Sequence, residues 1–240
     1  AAVIARHLKE IYGLAPCNIL SDPLRKSRMV ERVQHRKIAS WVRQETVVPL
    51  SPVRIPARGV CVVADFGHGF LDPWTVRSIE RDVDWLALTV QSNSLNWGMN
   101  TLRKWMKADF VIVDEAELRL ATGERGPSLH KQMESEAARL GAEWFIVTQG
   151  HQGAVCWHKG EEFFRIPAFA ETVVDRMGAG DAFLAASAPL AHAGAPLGLV
   201  GAVGAAAAAV HVGVVGNGSG VNREAVLGML ERHGGELWLD

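Results

Sequence analysis

Val173-Val174-Asp175-Arg176-Met177-Gly178-Ala179-Gly180-Asp181 runs directly into the apolar stretch Ala182-Phe183-Leu184-Ala185-Ala186. A short glycine turn therefore opens a helix whose first turn carries an acid. Backbone N–H groups at a helix N-terminus lack intrahelical partners and point outward with the positive end of the dipole, and glycines let an anion approach them closely. The segment reads as a phosphate cradle made of Gly178, Ala179 and Gly180. A carboxylate at its edge would repel a resting anion, so Asp181 makes sense as a base that takes a proton from a hydroxyl attacking a phosphoryl group. The plain alternative is a helix cap with a loosened turn.

The bulk of the chain narrows the context. At 240 residues and 48% hydrophobic composition it can bury a substantial core. A formal net charge of −1, from 25 basic and 26 acidic residues, gives no electrostatic case for nucleic acid or an anionic membrane. Cys17, Cys61 and Cys156 have no paired spacing, which fits a reducing, cytoplasmic setting, and the nine histidines show no metal-ligand rhythm. Residues 182 to 216 are nearly uncharged, but Pro189, His192, Pro196 and His211 interrupt them and they are mostly Ala and Gly, so closely packed buried helices are expected there. The first residues lack a signal-peptide layout and read as a chain already in progress.

From Val60 onward apolar runs alternate with helical segments, the rhythm of a mainly parallel α/β sheet. Strands are expected at 61–66, 85–90, 110–113 and 144–148, and helices from Pro73 to Asp82, around Met99 to Met106, from Glu115 to Ala121 and from Pro127 to Leu140. Shorter strands at 154–158 and 162–169 suggest an antiparallel edge. Helices then follow at 181–193, 196–213 and 222–232. Before Val60 the pattern differs: residues 1–12 look helical, 17–20 a strand, and 27–33 with 37–42 a charged hairpin suited to a lid, with Pro49, Pro52 and Pro56 marking the return linker. The expected division is a segment 1–59 carrying the lid and a core 60–240.

Other motifs sit at strand ends, where α/β folds bind ligands. Thr148-Gln149-Gly150-His151-Gln152-Gly153 follows one strand, with glycines that permit positive φ, and by itself is equally a tight turn. Asp114-Glu115-Ala116-Glu117 follows another. Its carboxylates could hold Mg²⁺ through water, or serve simply as an acidic helix start. Asp65-Phe66-Gly67-His68-Gly69 is a turn after a third strand. Asp-Phe-Gly is a magnesium motif in eukaryotic protein kinases, but this chain has no His-Arg-Asp loop and no glycine-rich loop leading to a Val-Ala-Ile-Lys strand, so that assignment is rejected. Gln91-Ser92-Asn93-Ser94-Leu95-Asn96-Trp97-Gly98 either lines a cleft or caps a helix. No Gly-x-x-x-x-Gly-Lys-Ser/Thr loop is present.

Taken together, these residues resemble the ribokinase/PfkB carbohydrate kinases. Asp175 to Asp181 is similar to their Asp-Thr-x-Gly-Ala-Gly-Asp motif, departing at Arg176, where a small hydroxyl residue is usual. Thr148, Gly150 and Gly153 match a Thr-x-Gly-x-x-Gly element that contacts nucleotide phosphates. Glu117 matches the Glu of Asn-x-x-Glu, with Asp114 in place of the Asn. Asp65 to Gly69 looks like the Asp-Tyr-Gly-Lys-Gly turn of the heptose-phosphate kinase branch, with His68 replacing Lys.

The resemblance implies a ribokinase-like, mainly parallel sheet flanked by helices, with a small β lid. It implies ATP-dependent phosphorylation of a sugar or sugar-phosphate hydroxyl. In that scheme Asp181 is the base, Gly178 to Gly180 the anion hole, Thr148, Gly150 and Gly153 hold the nucleotide, and Glu117 with Asp114 position Mg²⁺. Asp65 and His68 face the sugar or its phosphate unless they serve only as a structural turn, Asn93 of the amide-rich stretch is a further substrate candidate, the segment around 216–220 borders the adenine pocket and a monovalent-cation loop, and the lid is the surface for a homodimer. Complete members begin with strands and a Gly-Gly sugar-binding segment upstream of the lid; here the lid candidate arrives at about residue 27, so those first strands are expected to be missing. The rival is a degenerate nucleotide-binding module, a remnant of a kinase–nucleotidyltransferase fusion.

Overall fold

The computed structural model describes residues 2–14, 25–30, 37–43, 59–92, 96–123, 128–213 and 221–237. In chain order the elements are α1 (Ala2–Tyr12), β1 (Arg25–Val30), β2 (Lys37–Arg43), β3 (Val60–Asp65), α2 (Pro73–Asp82), β4 (Trp85–Val90), β5 (Phe110–Asp114), α3 (Glu115–Thr122), α4 (Leu129–Leu140), β6 (Trp144–Thr148), β7 (Ala154–His158), β8 (Phe164–Ile166), α5 (Ala179–His192), α6 (Leu197–Val212) and α7 (Arg223–Leu237).

β3 to β8 form one six-stranded sheet in sequence order. β3, β4, β5 and β6 run parallel, and β7 and β8 turn back antiparallel at the edge, as the sequence pattern anticipates. Side chains alternate between two apolar faces. Phe110, Ile112, Trp144 and Ile146 join one buried cluster, while Val111, Val113, Phe145 and Val147 join the other. A parallel sheet covered on both faces produces this pattern of near-continuous apolar strands.

The second cluster is closed by residues of the connecting segments, Val76 and Ile79 of α2, Leu118 of α3, and Met133, Ala137 and Leu140 of α4. Sequential parallel strands joined by right-handed crossovers place all their connections on one face. The opposite face is covered by α5 and α6, joined by α1 through Ile4, Leu8 and Ile11 and by α7 through Val226. The Ala-rich composition of α6 allows close contact: a Cβ added at Gly204 would lie 2.2 Å from the Phe183 ring of α5. Tyr12 ties α1 to α5 by donating its hydroxyl to the Ala186 carbonyl. Among the described residues no helix is long and apolar enough to cross a membrane.

The charged hairpin is present as a separate two-stranded antiparallel sheet, β1 with β2, with a register shift between Met29 and Val30. The strand expected at 17–20 lies outside the described residues. The helix expected around Met99 to Met106 is absent; in its place are turns and a short 3₁₀ segment at Leu102–Lys104. Asparagine side chains compete with helical hydrogen bonds here. Asn96 Nδ2 donates to the Phe66 carbonyl at 2.9 Å, and Asn100 Nδ2 to the Asp65 carbonyl at 2.9 Å and the Gln91 carbonyl at 3.1 Å. β8 is shorter than the expected 162–169, and Pro167, which cannot donate to a ladder, follows its end.

Candidate active site

The parallel strands bring Asp65, Gln91, Asp114 and Thr148 to the same C-terminal end of the sheet, with Asp65 in register with Val90 and Asp114 with Thr148. α5 begins at this end. Gly178 has φ 88° and ψ 0°, a left-handed conformation that glycine adopts without penalty, and its carbonyl accepts from Ala182 N at 2.9 Å to start the helix. The helix therefore begins two residues before the expected position, so Ala179, Gly180 and Asp181 form its first turn. A Cβ at Gly180 would meet nothing within 4 Å, so the space beside this glycine is open.

Asp181 is only 7% exposed, and Gln91 Nε2 donates to its Oδ1 at 3.4 Å. Burial raises its carboxyl to about 6, with the nearby His211 acting in the opposite sense. A carboxylate poised near neutrality is suited to proton abstraction.

Glu117 reads differently in three dimensions than as one acid among several. It forms a reciprocal capping box with Asp114: Glu117 N donates to Asp114 Oδ1 at 2.7 Å and Asp114 N to Glu117 Oε2 at 2.9 Å. Its other oxygen, Oε1, accepts from Ser92 N at 3.1 Å, which draws it toward the end of β4. Burial and then the Asp114 charge push its carboxyl up to about 7; the backbone bonds from Asp114 and Ser92 oppose this, and the Asp181 charge adds to it. The influence of the Asp181 charge on Glu117 puts the two in one electrostatic neighbourhood. Among the described residues no salt bridge compensates Asp114, Glu117 or Asp181. Such an excess of carboxylates fits Mg²⁺, which is commonly held through water by one or two carboxylates. No cluster of three potential metal ligands occurs among the described residues.

The Thr148 to Gly153 segment is a tight connection between β6 and β7. Gln149 N donates to the Gly153 carbonyl at 2.8 Å, and the side chain of Gln149 donates to Glu115 Oε2 at 2.9 Å. Gly150 (φ 60°) has open space around its Cβ position, while Gly153 (φ 88°) is pressed against the Ile166 carbonyl, 1.9 Å from an added Cβ. The turn and the ligand explanations thus divide between two glycines: Gly153 is needed for packing, and Gly150 is free to face a ligand.

Asp65 points inward. Its Oδ2 is 2.9 Å from Lys104 Nζ and accepts from Trp105 Nε1 at 3.1 Å, while Oδ1 accepts from Gly67 N at 3.0 Å. Its carboxylate is thus occupied in fixing the turn. His68 is half-buried and stacks on Phe66. Asn93 and residues 216–220 lie outside the described residues. Lys104, Trp105 and Asn100, which hold this turn, escaped the sequence reading because they fall in a stretch assigned to a helix, where the partners of Asp65 cannot be inferred. A separate cavity of about 570 Å³, lined by Trp85, Trp144, His158 and His192, opens at the N-terminal ends of the strands and takes no part in this site.

Comparison with known proteins agrees with this fold. The pfkB family carbohydrate kinase profile matches residues 86–224, more than half of the chain. The bifunctional protein HldE of Wolinella succinogenes is 26% identical over 223 residues, covering 88% of this chain and 46% of that protein. The chain spans about half or less of the length of the first curated relatives it matches. Among solved structures, the Burkholderia thailandensis nucleoside kinase in complex with inosine aligns with a TM-score of 0.66 at 17% identity, over 88% of this chain and 70% of that one. Arabidopsis thaliana ribokinase complexed with ribose and ATP aligns with a TM-score of 0.55 at 22% identity, over 72% and 55%. These likenesses establish a ribokinase-like fold. With the matched profile spanning the strand ends from β4 onward and the glycine turn before α5, the chain belongs to the pfkB family of carbohydrate kinases.

Proposed function

We propose that this chain carries the phosphoryl-transfer part of a kinase that uses ATP to phosphorylate a hydroxyl of a sugar or sugar phosphate. The observation that carries the proposal is the buried Asp181 in the first turn of α5, beside the open amides of Gly178 to Gly180 and within electrostatic reach of Glu117. Gln91 holds Oδ1 of Asp181 and leaves Oδ2 for the acceptor hydroxyl; Oδ2 takes its proton as the oxygen attacks the γ-phosphorus and the bond from that phosphorus to the β-phosphate oxygen breaks, releasing ADP. The amides of residues 178 to 181 stabilise charge on the transferring group. Thr148 and the open Gly150 face the nucleotide phosphates. Glu117 and Asp114 would hold Mg²⁺ through water, and the ion would supply neutralisation of phosphate charge. The setting is cytoplasmic, the acceptor class is nearest a heptose phosphate on the strength of the Asp65 to Gly69 turn, and the hairpin 27–42 is the candidate dimer surface.

The rival is a nucleotide-binding module without turnover, left by a fused ancestor. The exposed Arg176, in place of a small hydroxyl residue, favours it. Asp114 does not, because its carboxylate caps α3 as an asparagine would. The deciding experiment measures ATP consumption by the full-length protein against a panel of sugars and sugar phosphates, with Asp181→Asn in parallel. Turnover of at least one acceptor that disappears in the variant is the expected result. ATP binding with no acceptor phosphorylated would select the rival, and turnover retained by Asp181→Asn would remove Asp181 as the base.

A further inference from the structure

The turn before α5 is anchored to the C-terminal end of α6. Val174 N and Asp175 N donate to the Val212 carbonyl at 2.8 and 3.1 Å. Met177 N donates to Asp175 Oδ1 at 3.1 Å. One further bond reaches the peptide that matters most: His211 Nε2 lies 2.8 Å from the Met177 carbonyl oxygen. A carbonyl can only accept, so His211 carries its proton on Nε2. His211 is 3% exposed, and His7 packs against it edge-on, with ring centroids 5.4 Å apart at 88°. His7 is in turn fixed by accepting from Val221 N through Nδ1 at 3.2 Å. The imidazole of His211 is thereby held in place by α1 and by the start of the α7 segment.

In a trans peptide the C=O and N–H bonds point in opposite directions. The carbonyl of Met177 and the amide of Gly178 belong to the same peptide group. Holding the carbonyl toward the buried His211 turns the Gly178 N–H outward, and among the described residues that N–H has no backbone acceptor. Gly178, with φ 88° and no side chain, is also where a peptide flip meets least resistance.

We propose that His211 is a positioning residue for phosphoryl transfer, locking the Met177–Gly178 peptide so that the Gly178 amide faces the transferring group; this rests on the kinase assignment above. The lock does not touch substrate. Its effect should fall on kcat, because an anion-hole donor matters most when charge develops.

The test compares His211→Leu and His211→Met, which cannot donate, with His211→Gln, which can, in the full-length protein with whichever acceptor the panel identifies. The donor-less variants are expected to lose about tenfold to a hundredfold in kcat with KM for ATP changed less than about threefold, and Gln to restore kcat to within about threefold of wild type. Unchanged kcat in the donor-less variants, or a Gln variant as slow as they are, would overturn the proposal. A second readout needs no turnover: the ¹⁵N–¹H imidazole spectrum should show the His211 proton on Nε2. A bare Nε2 overturns the lock even in an inactive protein, whereas absence of any acceptor with the proton on Nε2 removes the kinase assignment and leaves the lock standing.

Discussion

Gln91 and Asp181 meet at the mouth of the site, the amide at the end of β4 donating to the carboxylate in the first turn of α5 at 3.4 Å. This contact joins the parallel sheet to the layer of α5 and α6 at the point where chemistry is proposed. Because burial raises Asp181 to about 6, it is ionised at pH 7.5 and largely protonated at pH 5. kcat/KM should therefore fall about tenfold per pH unit below roughly 6, measured in the free enzyme. Asp181→Asn should lower kcat by a factor of about a thousand or more, leaving ATP affinity within a few-fold.

Asp181 also has a stability signature. Its folded value of about 6 lies above the ordinary 3.8, so the folded state binds the proton more tightly and ionisation costs stability as pH rises from about 4 to 6. Above pH 7 the cost is fully present, on the order of 3 kcal/mol. Asp181→Asn should then be the more stable protein at pH 7.5, by an amount that shrinks toward zero near pH 4. Chemical denaturation of both proteins at the two pH values checks this, and equal midpoints at pH 7.5 would contradict it.

Glu117 does two jobs at one position, capping α3 and adding negative charge near the phosphates. Glu117→Gln keeps a carbonyl acceptor but presents an NH₂ to one of the two backbone donors, Ser92 N or Asp114 N. Losing one of these bonds costs about 1 kcal/mol, but relieving the ionisation that burial and the Asp114 charge oppose offsets more than that at pH 7.5, so the variant is expected to be the more stable protein there. The Mg²⁺ concentration needed for half-maximal rate should rise about tenfold. Thermal melting and a Mg²⁺ titration at saturating ATP separate the two effects. A normal titration with an altered melting temperature would leave Glu117 with a structural role only.

Much of this was legible in the sequence, for definable reasons. The strands from β3 to β6 are continuous apolar runs because both sheet faces are buried, and the site residues sit where those runs end. The Asp175 to Asp181 turn was legible because glycine spacing reports backbone conformation directly. Pairings across the fold were not. Asp65 reads as a candidate ligand until Lys104 and Trp105 are seen against it, and those come from a stretch where Asn96 and Asn100 defeat the helical pattern. His211 reads as an interruption in an Ala-rich helix, since nothing in its neighbours reveals that the Met177 carbonyl lies beside it.

The two glycines of the β6–β7 turn should behave differently. Gly153→Ala forces a Cβ to within 1.9 Å of the Ile166 backbone oxygen at φ 88°, so β8 or the turn must move. A loss of about 3 kcal/mol or more is expected, roughly a 10 °C fall in melting temperature. Gly150→Ala meets nothing within 4 Å and costs about 1 kcal/mol from its φ of 60°. Its expected effect is a several-fold rise in KM for ATP. Similar melting temperatures for the two variants would contradict the division of roles.

His7 should give the protein an acid sensitivity opposite in sign to that of Asp181. It is 1% exposed, and burial, then the His211 and Arg6 charges, lower it from 6.5 to about 4. Between those values the unfolded chain binds a proton that the folded chain does not. Stability is therefore lost as pH falls from about 6.5 to 4, by up to about 3 kcal/mol, and the loss levels off below that. His7→Phe keeps an aromatic edge against His211 but removes the acceptor for Val221 N, so it should be less stable at pH 7.5 by about 1 to 2 kcal/mol. At pH 4.5 the gap to wild type should close or reverse, because the variant has no proton to exclude. Denaturation midpoints for the two proteins at pH 7.5 and 4.5 decide it: a gap that stays constant would mean that His7 takes up its proton as readily in the folded chain as in the unfolded one.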